Sequence, residues 1–310
     1  MNAICQETRR HVKLMGSDFE FILVSEESDA ALDEAIEEVR RIESLLTEFS
    51  DTSQTSLINR NAGIMPVHVD PEVYAIIKRC KDLSALTQGA FDITAGVLKK
   101  MYNFKGLQFE MPDRARLEAT LRKVGSAKIQ LKTNNRVYLT QQGMHIGFGA
   151  IGKGYAADVV KRKLIQRGVR SGVINASGDL TAFGNRVDGS SWKIGIADPD
   201  EPTRAIGWIP INNACVATSG DYEQYFEHEG QRYSHTIDPL TGKPATGIKS
   251  VTVISSSAEL SDGLATAVTI MGIDIGLHFI EQLEGVHCLI ITDKNKIFTS
   301  RHLHLELNGL

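Results

Sequence analysis

The sequence predicts an α+β fold. Three observations carry that expectation. Apolar stripes at helical spacing alternate with short β-branched runs; some runs form apparent hairpins, around Glu229-Gly230 and Asp293-Lys294-Asn295; and no Gly-x-Gly-x-x-Gly follows a strand. Hairpins mixed with helices argue for α+β rather than a doubly wound parallel sheet. With no such pattern placed directly after a strand, a Rossmann nucleotide site is not indicated. At 310 residues, 42% apolar and 23% charged, the chain is long enough for one large domain or two closely packed ones.

The start, MNAICQETRRHVKLMGSDFEF, lacks the apolar core of a secretory signal. About residues 1–10 read as a short tail. The chain as it stands is expected in the cytoplasm, or in the periplasm or at a membrane if a signal was removed. Phe19–Val24 is the first strand candidate. From Ser28 to Phe49, Ala35, Ile36, Val39, Ile42, Leu45, Leu46 and Phe49 recur at helical spacing, with Glu37, Glu38, Arg40 and Arg41 on the other face. A second helix is expected over Pro71–Thr87, with proline in its first turn, and a third over Asp113–Val124. A fourth starts near Gly154 and stops at Gly168, a suitable C-cap. Gly172–Asn175, Trp192–Ile196, Lys249–Ser255 and His287–Thr292 complete the strand candidates. The net charge of −4 gives no support for a nucleic-acid or anionic-membrane partner. Cys5, Cys80, Cys215 and Cys288 form no CxxC pair, which predicts buried thiols rather than a zinc or redox motif.

Five segments have residue types suited to chemistry, each with a plain structural alternative. In HIGFGAIGKGYAAD, Gly147, Gly149, Gly152 and Gly154 lead into a helix beside Lys153. Such a run admits a phosphate at a helix start, or makes a tight turn with an exposed lysine. In SSSAELSDGLATAV, Asp262 and Thr266 stand four apart, on one helical face. A carboxylate with a hydroxyl suits magnesium; Ser261 or Asp262 as an N-cap is the commoner arrangement. In TQGAFDIT, Phe91 reads as core, and Asp92 as a turn residue or a ligand contact. NASGDL reads as a turn, or as the lining of a pocket at a strand end. SHTIDPLTG, taken alone, reads as a strand ending in an Asp238-Pro239 turn.

Together the segments say more. LMGSDFEF, TQGAFDIT, GFGAIGKGYAAD, NASGD, VATSGDYEQYF, SHTIDPLTG and AELSDGLATAV occur in an order that resembles the ApbE family, the FAD:protein FMN transferases. The likeness runs from about Lys13 to Glu281. It implies one family domain over residues 1–310, T-fold-like, with two similar halves fused into one globule of mixed or antiparallel sheets and packed helices. It also implies FAD as substrate, Mg2+ as cofactor, and transfer of FMN to a Thr or Ser hydroxyl of an acceptor protein, a membrane redox subunit by expectation, with release of AMP. FAD hydrolysis to FMN and AMP, or flavin binding without turnover, are the alternatives.

The resemblance assigns Met15, Ala90, Phe91, Asp92, Gly147, Lys153, His235 and Thr236 to FAD. It assigns the Ala150 carbonyl, Asp262 and Thr266 to the metal. The acceptor hydroxyl needs a base or strong orientation. His235 is the candidate, because imidazole titrates near neutrality, and Asp238 is the fallback. Two departures from the family stand out. The loop after the first long helix, FSDTSQTSLIN, is shorter and lacks the tyrosine many members have there, so the flavin's stacking partner is unassigned. Ser177 stands where glycine is common.

Overall fold

The structure, a computed structural model, describes residues 6–25, 28–102, 112–201, 203–220, 225–228 and 230–307. Its centre is an eight-stranded sheet whose neighbours follow chain order: Gln6–Leu14, Ser17–Ser25, Ser171–Ala176, Asp179–Phe183, Cys215–Gly220, Ile248–Ser255, His287–Thr292 and Ile297–Thr299. Every pairing in it is antiparallel. Two of its hairpins close through two-residue loops, Met15-Gly16 (φ 51° and 72°) and Ser177-Gly178 (φ 58° and 100°). Positive φ at both central residues is what a type I′ turn needs to match strand twist. The α+β expectation holds.

Both faces of the sheet are covered, and the period of two divides the side chains between them. Phe19, Phe21 and Leu23 join the larger core. The helices Ser28–Leu46, Gly152–Gln166 and Ala258–Met271 pack on the sheet there. Ile22 and Val24 join a second core with Trp192, Ile196, Ile209 and Ile211. That core lies under a three-stranded sheet of Trp192–Ala197, Ala205–Ile211 and Glu306–Leu307. Two further small sheets are built from Tyr225–His228, Gln231–Ile237 and Pro244–Thr246, and from Val67–His68, Arg136–Leu139 and Ile129–Lys132.

The helices fall close to their expected places. They span Ser28–Leu46, Pro71–Leu86, Arg114–Leu121 and Gly152–Gln166. Asp70 and Asp113 cap the second and third by accepting from Glu72 N and Arg116 N. The fourth ends at Gly168 in the left-handed region, φ 95°. The tail is the main correction. Residues 6–10 belong to the edge strand Gln6–Leu14, which pairs with Ser17–Ser25 along its whole length. Its polar, alternating composition is normal for an exposed edge and reads as tail in sequence. Residues 1–5, with Cys5, lie outside the described residues. Cys80, Cys215 and Cys288 are buried free thiols; burial pushes Cys215 up to about 11 and Cys288 up to about 12. Glu229 also lies outside the described residues, but its flanking strands pair as expected, Tyr225 opposite Ser234. Among the described residues no helix is long and apolar enough to cross a membrane.

One helix crossing positions the site. A Cβ on Gly154 would stand 2.3 Å from the Ala258 carbonyl oxygen. Only glycine lets the helices Gly152–Gln166 and Ala258–Met271 approach this closely. One turn on, Asp158 accepts from Ser257 Oγ at 2.7 Å and from the Ala258 and Glu259 amides at 3.0 Å. A carboxylate on amides at a helix start is favourable by about 1 kcal/mol. It docks the start of the second helix onto the first.

Candidate functional site

The glycine-rich segment is clamped from residues far away in sequence. Asn59 accepts from the Ile146 amide at 2.8 Å and donates to the Ile146 carbonyl at 2.9 Å. The Gly147 amide donates to the Ile93 carbonyl at 2.9 Å. Glu48 pairs with His145 Nε2 at 2.5 Å, and Lys100 stands 3.6 Å away. The His145 contact, chiefly, holds the Glu48 carboxyl below its ordinary range. Glu48 Oε1 also stands 3.2 Å from where a Cβ on Gly147 would be, so a side chain there would press on it. Asn59 and Glu48 carry no local signal in the sequence; their partners are 87 and 97 residues distant.

At the following helix start three charged groups converge. Lys153 forms an ion pair with Asp179. Asp262 accepts from the Gly154 amide at 3.3 Å. Both carboxylates are deeply buried, with 2% of Asp179 and 7% of Asp262 exposed. Burial raises both above the ordinary range; the Asp179 charge drives Asp262 further up and Lys153 pulls it back. Asp179 is the residue that motif reading left in a turn. The Ser177-Gly178 hairpin makes it the first residue of a buried strand. Met15, in the other two-residue turn, reaches toward Gly152: its Cε stands 3.5 Å from a Cβ placed there. Met15, Gly147, Lys153 and Asp262 thus sit on or beside one glycine-rich helix start.

The capping alternative for Asp262 does not survive. Ser257 is the N-cap, its Oγ accepting from the Leu260 amide at 3.2 Å. Asp262 lies in the second turn of its own helix and does not cap it; its carboxylate accepts instead from the Gly154 amide in the first turn of the neighbouring helix. Thr266, half-buried one turn later, shares its helical face. These residues fit a magnesium ion. It takes oxygen donors, often only one or two carboxylates, and completes its shell with water and substrate phosphate. Asp262, the Thr266 hydroxyl and the Ala150 carbonyl are such donors. No cluster of three or more His, Cys, Asp or Glu suited to a metal occurs among the described residues.

SHTIDPLTG is a strand running into a turn, as expected. His235 and Thr236 belong to the strand Gln231–Ile237, which packs against the helix of Asp262. The register with Pro244–Thr246 shifts between Tyr233 and Ile237. A bulge of this kind re-aims side chains next to a site. Asp238 is different. Its Oδ1 accepts from the Leu240 amide at 2.8 Å and its Oδ2 from the Thr241 hydroxyl at 2.7 Å. Both oxygens help to close the turn, a structural role for Asp238.

The segment Ala90–Asp92 runs under the same helix. Phe91 is 1% exposed and its ring packs at Gly263, so it is core and offers no stacking face. Asp92 accepts from the Thr94 amide and hydroxyl at 2.8 and 2.6 Å and from the Ser126 amide at 2.7 Å. Its carboxylate ties two loops together, which leaves Ala90 and the backbone of 90–92 to border a ligand.

The family model described as the ApbE family matches residues 15–290. A protein of Klebsiella pneumoniae (strain 342) named FAD:protein FMN transferase is 33% identical over 300 residues, covering 96% of this chain and 93% of its own length. A protein of the same name from Treponema pallidum (strain Nichols) is 29% identical over 293 residues, covering 88% and 80%. Among solved structures, the ApbE protein of Thermotoga maritima aligns with a TM-score of 0.87 at 30% identity, over 96% of this chain and 97% of that one. The apo form of the Pseudomonas stutzeri flavinyl transferase ApbE aligns at 0.86 and 26% identity, over 96% and 95%. The chain belongs to the ApbE family.

Proposed function

We propose that this chain transfers FMN from FAD to a Thr or Ser hydroxyl of an acceptor protein, with Mg2+, releasing AMP. The names of its relatives support the reaction class. The observation that carries the reading is the pair of buried carboxylates, Asp179 and Asp262, sharing one ammonium at a glycine-rich helix start. With both ionised, the cluster carries an excess negative charge where an anionic pyrophosphate must arrive. Asp262, Thr266 and the Ala150 carbonyl would hold the ion that reverses that sign. Bound Mg2+ supplies charge neutralisation on the pyrophosphate as its bridging bond breaks.

The chain's own residues do the rest. Gly147 and its neighbours let the backbone approach the nucleotide, and Lys153 faces its phosphates. Met15 and Ala90 border FAD, and Thr236 lies beside the pyrophosphate. His235 accepts the proton of the acceptor hydroxyl as that oxygen bonds to the FMN phosphorus. The bond from that phosphorus to the AMP oxygen breaks, and AMP leaves with the electron pair. A membrane redox subunit is the expected kind of acceptor.

Mass spectrometry of a candidate acceptor, after incubation with the protein, FAD and Mg2+, tests this. The expected result is an FMN phosphoester on Thr or Ser with AMP formed in equal amount. AMP without a labelled acceptor would make the protein an FAD pyrophosphatase; FAD retained without AMP would make it a binding protein. His235→Asn is expected to lower the rate and flatten its pH profile. An unchanged profile would leave the histidine a structural part.

A further inference from the structure

Asp179 is itself assigned neither to the metal nor to the flavin, yet it pairs with Lys153, which is, and it is the more deeply buried of the two carboxylates. Its position is fixed from three sides. The two-residue Ser177-Gly178 turn sets it at the head of its strand. The strand Cys215–Gly220 lies alongside, with Val216 opposite Leu180 and Cys215 opposite Thr181. Lys153 closes on it from the helix Gly152–Gln166. The Lys153 charge acts on Asp262 as well. One ammonium therefore stands within reach of two buried carboxylates, and the structure pairs it with Asp179.

We propose that Asp179 is a positioning residue: it holds the Lys153 ammonium away from Asp262, so that Asp262 stays available to a divalent cation while Lys153 still faces the substrate phosphates. The inference rests on the metal role of Asp262. Its physical basis is competition. An ammonium and a metal ion are rivals for one buried carboxylate, because each offsets the cost of keeping that charge out of water. A lysine on a flexible four-carbon stem closes on the nearest carboxylate left to it. Asp179 supplies the alternative partner, and rigid backbone holds it there.

The test is Mg2+ titrated calorimetrically, without FAD, into wild type, Asp179→Asn, Asp179→Asn/Lys153→Met and Asp262→Asn, with circular dichroism checking the fold of each. Asp179→Asn is expected to bind Mg2+ at least about tenfold more weakly, because Lys153 turns to Asp262. Removing that lysine in the double variant is expected to restore most of the affinity. A merely structural role for Asp179 predicts no such rescue. Wild-type affinity in Asp179→Asn, or a double variant as weak as the single one, overturns the proposal. If Asp179→Asn does not fold, the double variant decides alone: affinity near wild type supports the proposal, and a large loss overturns it. The underlying metal reading fails separately, if wild type shows no saturable binding or Asp262→Asn binds as well as wild type.

Discussion

Two groups of buried carboxylates in this protein face opposite electrostatics. Glu38, on the helix Ser28–Leu46, is 5% exposed and meets both Arg41 and Lys163. Arg41 goes on to Glu72, which accepts from the Tyr155 hydroxyl at 2.5 Å. The Arg41 hydrogen bond, chiefly, holds Glu38 below its ordinary range. Asp179 and Asp262 are as well buried but share a single lysine, and both are raised. The first group is a completed network that fastens helices together. The second, among the described residues, sets one ammonium against two carboxylates. Burial alone therefore does not mark a functional acid; the balance of partners does, and here it singles out the strand end and helix start where the family motifs converge.

The largest test of that contrast is Asp262→Asn. It should reduce FMN transfer by about 10²–10³-fold, the scale of losing one strong electrostatic contributor to a transition state. The same variant should be more stable than wild type when metal-free, because a poorly compensated buried charge is gone. Thermal unfolding with a chelator present checks the second half, and a loss of stability would place Asp262 in the scaffold.

Gly154→Ala probes the joint between the two groups' helices. Its Cβ would meet the Ala258 carbonyl oxygen at 2.3 Å, so the helices must separate, costing about 3 kcal/mol. Gly152→Ala, whose Cβ would meet only Phe148 Cβ at 3.4 Å and Met15 Cε at 3.5 Å, should fold nearly as well as wild type. Denaturant unfolding of the pair gives the comparison directly.

Glu38→Gln should cost about 1–2 kcal/mol, less than a fully buried pair because both of its cations reach solvent, with transfer unchanged. The pH dependence should also differ in sign between the groups. Glu38 is depressed below 4.5, so its contribution is present above that value and lost as pH falls through the lowered one. Asp262 is raised above 3.8, so stability is favoured below that value and lost as pH rises through the raised one. In metal-free protein, the difference in stability between wild type and Asp262→Asn should therefore widen as pH rises from acid, whereas that between wild type and Glu38→Gln should change as pH falls. Equal slopes would contradict the contrast.

Much of the fold was legible because it is written locally. Phe19–Val24, Lys249–Ser255 and the capped helices carry their pattern within a few residues, and the motifs pointed to Lys153 and Asp262. What was hidden depends on distant contacts. Gln6–Leu14 has no apolar face to announce it. Asp179 looks like part of a turn until the hairpin brings it to Lys153. Asn59 gains its meaning only when Ile146 arrives beside it. Asp238 is the opposite case: its motif offers a carboxylate to chemistry, and only the fold shows both oxygens helping to close a turn.

The most direct test of the central claim needs no acceptor. Equilibrium FAD binding is measured with Mg2+ and with a chelator, in wild type and in Asp262→Asn. Mg2+ is expected to tighten FAD binding by at least about tenfold in wild type, or 1.4 kcal/mol, and to have little effect in the variant. The same affinity with and without Mg2+ in wild type would contradict the claim.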